Sequence, residues 1–99
     1  MLAVTLLGPP AARADWIVCW FADHHDRVLF HSPAFQGSFA HVLRNQTIFE
    51  ANVFMNGATA SPETTCTAAA SRADAEARIA ALERDARATG EKPLEVPAQ

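Results

Sequence analysis

The sequence predicts a small α+β domain: a short antiparallel sheet of three or four strands with two helices packed on one face. Three observations predict it. Trp16 to Phe21 is an unbroken, β-rich apolar run bounded by polar residues, which reads as a buried strand. Ser71 to Ala88 carries an apolar stripe at the helical period, with a capping residue before it and Gly90 after it. The 99 residues are 49% apolar and 19% charged, a balance that folds one domain and leaves no second core to build.

In chain order, residues 1–14 (MLAVTLLGPPAARA) predict a signal peptide, shortened relative to the usual apolar region. The run Leu2–Leu7 meets the breaker Gly8-Pro9-Pro10. Ala12-Arg13-Ala14 then supplies the small residues of an A-x-A cleavage site, which puts the mature N-terminus at Asp15. A run that short cannot cross a bilayer, so no transmembrane span is expected. In the first strand, alternation sets Trp16, Val18 and Trp20 on one face and Ile17, Cys19 and Phe21 on the other. Asp23-His24-His25-Asp26 is a polar turn. Arg27 to Ser32 is the returning strand of a hairpin, ended by Pro33, which has no N–H for the ladder.

Phe35 to Gly57 reads as helix, in one piece or two. Phe35, Phe39, Val42, Leu43, Phe49 and Val53 fall near helical spacing, and Gly57 is the expected cap. Thr47-Ile48-Phe49 and Asn52-Val53-Phe54 would also suit strand. A polar loop from Ala58 to Glu63 leads to a short strand, Thr64 to Ala69, around Cys66. The last helix is the best specified. Ser71 is its N-cap with Asp74 in the capping-box position, and Ala75, Ile79, Leu82 and Ala86 form its stripe. Asp74–Arg78 and Glu83–Arg87 are expected i,i+4 pairs. Lys92 to Gln99, with two prolines, is either an edge strand around Leu94-Glu95-Val96 or a loose tail.

The 11 carboxylates outnumber the 8 basic side chains, giving a net charge of −3, which argues against nucleic acid as a partner. Cys19 and Cys66 have no CxxC or Cys/His framework around them, so in an oxidising compartment they are expected to pair. Closing that loop is worth about 4 kcal/mol in the chain-entropy model. Signal and disulfide together predict a periplasmic or secreted protein.

Cys19, a polar gap and Val28-Leu29-Phe30-His31-Ser32-Pro33-Ala34-Phe35 resemble a pattern in small secreted proteins of Gram-negative bacteria. In those proteins a cysteine precedes a V-Y-F-S-x-x-F segment, then come a helix ending near glycine, a second cysteine and an Ala/Glu-rich helix. Phe49, Val53, Gly57, Cys66 and the start of the last helix match the later parts, while Leu29 stands where the pattern favours tyrosine. The resemblance implies compartment and fold. It implies no activity.

Chemistry-bearing residues are few. His24 and His25 share the first turn, and Asp23, His25 and His31 are the candidate metal ligands if that turn bends, since imidazole and carboxylate suit Zn²⁺ or Cu²⁺. Their spacing matches no ligand motif, and a solvated turn is the favoured reading. Ser32 or Ser71 with His31 or His41 would supply a hydrolytic pair, but no nucleophile elbow or phosphate-binding glycine loop accompanies them. No catalytic residue and no cofactor is therefore assigned. If both helices cover the Ile17/Cys19/Phe21 face, Trp16 and Trp20 lie on the open side as an interface. The leading expectation is a non-catalytic extracytoplasmic interaction module for another protein or an envelope component, with homo-oligomerisation open. The alternatives are a metal-binding protein using the His24–His31 loop and a small enzyme.

Overall fold

The computed structural model describes residues 15–58 and 63–99, so the expected signal peptide lies outside the described residues. Strand β1 (Asp15–Asp23) is the centre of the sheet. It forms a hairpin with β2 (Val28–His31), and β3 (Phe35–Gly37) continues along the same edge of β1. The turn between β1 and β2 is closed by Asp26 N–H donating to Asp23 Oδ1 at 3.1 Å, and Arg27 leaves it at φ 58°.

Trp20 pairs with His31 and Ile17 with Phe35, so Val18 and Cys19 on β1 face Ser32, Pro33 and Ala34 across the ladder. That extra residue is a β-bulge, placed where proline cannot donate. The Ser32 N–H donates to the Cys19 carbonyl at 2.8 Å, and the Cys19 N–H donates to the Ser32 hydroxyl at 2.9 Å. A side chain thus completes the ladder where the backbone bulges away.

A 3₁₀ turn (Phe39–His41) leads into α1 (Val42–Met55), followed by β4 (Thr65–Ala69), α2 (Arg72–Ala88) and β5 (Lys92–Glu95). β4 takes the other edge of β1, antiparallel, and β5 lies parallel on the outside of β2. β4 and β5 therefore run the same way with β1 and β2 between them. Such a pair needs a crossover, and α2 is that crossover.

Local signals set both helix ends. Ser71 accepts from the Asp74 N–H at 3.1 Å, the N-cap expected of it. At the other end Gly90 N–H donates to Arg87 and Glu91 N–H to Ala86, with Gly90 at φ 80°. Gly57, at φ 105°, closes α1 the same way, through Gly57 N–H to Phe54 and Ala58 N–H to Val53. Both are Schellman ends, which need a left-handed residue after the cap. Glycine supplies it without a Cβ penalty.

The α+β class, with two helices on a small and mostly antiparallel sheet, is the predicted one. The placement of the second helix differs. Ile17, Cys19, Phe21, Phe30 and Phe35 form one core with Phe49 and Val53 of α1. Val96 and Ala98 complete that core, tied down by Asn45 Nδ2 donating to the Ala98 carbonyl and Asn52 Nδ2 to the Pro97 carbonyl, each at 2.9 Å. The end of the chain is thus an edge strand followed by a docked segment, not a loose tail. With that face filled, the crossover has only the opposite face to pass over, and α2 packs on the Trp16/Val18/Trp20 side.

Three further expectations are corrected. Phe35 to Gly37 is strand rather than the first turn of a helix, because the bulge returns the chain to β1. Glu83 does not pair with Arg87: it turns inward to His31, at 2.9 Å. Asp74 and Arg78 do not pair either, and the i,i+4 ion pair that α2 does form is Arg72–Glu76, at 3.2 Å.

Candidate functional site

The Cys19–Cys66 disulfide is formed and joins residues directly opposite each other on β1 and β4. Why these two meet follows from the ladder. The N–H and C=O of a residue in an antiparallel strand point to the same side, and those of Cys19 go to Ser32. Cys19 and Cys66 are therefore a non-hydrogen-bonded pair, the narrow position of the ladder, with Cα atoms 4.0 Å apart. Cys19 is fully buried in the core, so the crosslink staples edge strand to centre strand from inside.

The histidines do not converge. His24 reaches out of its turn to Glu91, while His25 is exposed. His31 pairs with Trp20 and so faces α2, whereas Asp23 has the parity of Phe21 and faces α1. Asp23, His25 and His31 thus stand on opposite sides of the sheet or in solvent. Among the described residues no three His, Cys, Asp or Glu side chains are grouped to hold a metal ion.

His31 has a structural role instead. It is 1% exposed, and its Nδ1–H donates to the Ser32 carbonyl at 2.8 Å, since a carbonyl only accepts. Its Nε2 meets Glu83 of α2 at 2.9 Å, which pins the crossover helix to the bulge. The Ser32 hydroxyl is buried and accepts from Cys19, so it is not presented to the imidazole as a nucleophile. Ser71 is a cap and His41 lies in the 3₁₀ turn on the far side of the bulge. Replacing Glu83 by alanine leaves the buried Nε2 without its partner and is expected to cost about 1–3 kcal/mol, with Glu83→Gln costing less. Urea denaturation midpoints of the two variants check this.

The tryptophans share one side of β1, as alternation requires, but α2 lies on that side. The Arg72 guanidinium sits 5.6 Å from the centroid of the Trp16 ring. Trp20 lines a shallow groove with Leu29, Leu82 and Ala86. Both side chains are half-buried under the crossover helix, so the open apolar surface is elsewhere.

It lies on the outside of α1. Leu43 is 70% exposed, Phe54 65% and Met55 81%, and Phe39 one turn earlier is 41% exposed. Leu43, Thr47, Ala51 and Phe54 follow i, i+4, i+8 and i+11, so they form one stripe along the helix, with Met55 at its end. Only Phe49 and Val53 are fully buried on the inner side, where Asn45 and Asn52 hold the chain end. The apolar spacing in the sequence merges two faces of α1, and Leu43 points away from Phe49 and Val53. Four large apolar side chains are thus turned to water on α1 and the turn before it, and clusters of exposed apolar side chains are where interaction sites are often found. Asn45-Gln46-Thr47 runs along this helix, and Asn45 is engaged with Ala98.

Comparison of the chain with protein-family models, with curated proteins and with solved structures returns no match.

Proposed function

We propose that this chain is a non-catalytic extracytoplasmic interaction module that docks an envelope protein through the outer face of α1. The observation that carries the reading is the exposed stripe of Phe39, Leu43, Phe54 and Met55. Aromatic side chains and methionine are the residue types enriched at interfaces, and covering such exposed apolar area on binding is favourable. The oxidised Cys19–Cys66 pair supports an extracytoplasmic setting, because such crosslinks persist where thiols are not kept reduced. The A-x-A pattern before Asp15 and the likeness to small secreted Gram-negative proteins support the same setting. No helix among the described residues is long and apolar enough to cross a membrane.

The expected result is that Leu43→Ser combined with Phe54→Ser weakens binding to solubilised envelope proteins at least about tenfold, as loss of two interface anchors does. Both residues face water, so the thermal midpoint should stay within a few degrees of the parent. Unchanged binding with an unchanged midpoint would overturn the assignment of this face.

A further inference from the structure

We propose that β4 is a self-pairing edge: two copies of the chain join their β4 strands antiparallel across a two-fold axis at Thr67, extending the sheet across both molecules. The inference is independent of the α1 face. It starts from the two edges of the sheet, which differ. β5 is blunted by Lys92 and Pro93, devices that discourage strand addition. β4 reads Thr65-Cys66-Thr67-Ala68-Ala69, with neither charge nor proline, and among the described residues it pairs only with β1. The non-hydrogen-bonded position of Cys66 means that its N–H and C=O, and those of Ala68 two residues on, point away from β1. Among the described residues neither residue's outward backbone groups have a hydrogen-bond partner.

Three features select a second copy as the occupant. The register is self-consistent: a two-fold at Thr67 sets Cys66 opposite Ala68 of the other molecule, the hydrogen-bonded kind of pair, and the two symmetric pairs exchange four bonds. The ends carry opposite charges, because exposed Glu63 precedes the strand and Arg72, which is also paired with Glu76 of its own molecule, follows it, and antiparallel pairing brings each Glu63 near the other molecule's Arg72. The side chains are threonine, alanine and half-cystine, which offer no pockets to read a foreign peptide, whereas recognition of other sequences by strand addition depends on such pockets. Thr67 against Thr67 is a favourable cross-strand pair. The disulfide holds Cys66 against β1, so the edge is set before a second copy arrives.

The test is sedimentation equilibrium of the oxidised protein from micromolar to millimolar concentration, paired with amide hydrogen exchange at Cys66 and Ala68. A dimer should form in which those two amides become protected as concentration rises. Ala68→Pro removes an outward N–H that β1 does not use, and Ala68→Lys puts a charge on the edge. Each should weaken dimerisation about tenfold or more while the disulfide and circular dichroism are kept. If the proline variant fails to fold, the lysine variant decides. Leu43→Ser with Phe54→Ser should dimerise like the parent. A parent that stays monomeric, a dimer whose Cys66 and Ala68 amides exchange freely, or a dimer lost in the Leu43/Phe54 variant and kept in Ala68→Lys would each overturn the proposal.

Discussion

Replacing Cys19 and Cys66 together by alanine is expected to destabilise the protein by about 4 kcal/mol, the chain-entropy value for a loop of this length. In a domain of this size that lowers the thermal midpoint by roughly 15–30 °C. The effect is large because of what the crosslink joins. β4 is an edge strand held to the sheet through β1 alone, and it begins the crossover that carries α2. Cutting the staple also frees, in the unfolded chain, the 47-residue span between the cysteines that holds β2, β3 and α1. A matching fall should follow reduction of the parent, and reductant should have no further effect on the double variant. A double variant melting within a few degrees of the parent would show that the strand pairing alone holds β4.

Phe49→Ala is expected to cost about 3–5 kcal/mol, the usual result of emptying a buried aromatic site. Phe49 is fully buried and belongs to the core with Ile17, Cys19 and Phe30. It anchors α1, whose other buried residue is Val53. Leu43→Ala on the same helix removes a side chain that is 70% exposed, and should change stability by less than about 0.5 kcal/mol. Guanidinium unfolding of the pair reads the two sides of the helix separately. Equal losses at both positions would mean that α1 lies on the sheet in another rotation, and the exposed stripe would then vanish as a site.

What could be read from the chain was local. Ser71 and Gly90 bound α2 through hydrogen bonds to residues within a turn, so the residues that set these ends are adjacent to them in sequence. The alternation in β1 separated the two faces correctly because a strand's period does not depend on its neighbours. What could not be read depends on distant partners. β3 is three residues long and exists because the Pro33 bulge returns the chain to Ile17. Glu83 had Arg87 one turn away, yet a buried imidazole is the partner that must be satisfied. Leu43 and Phe49 are six residues apart, about 120° around the helix, and only the position of the sheet tells which is inside. The tryptophan face followed from an assumption that both helices take one side, and the crossover from β4 to β5 puts α2 on the other.

The outer face of α1, rather than the face of α2, is the surface proposed to meet the partner. A photo-crosslinking amino acid placed at Phe54, and separately at exposed Arg78 on α2, tests it in intact envelopes under oxidising conditions. A discrete covalent adduct is expected from position 54, lost when Leu43 is replaced by Ser, and none from position 78. An adduct from 78 alone, or no adduct from 54, would contradict it.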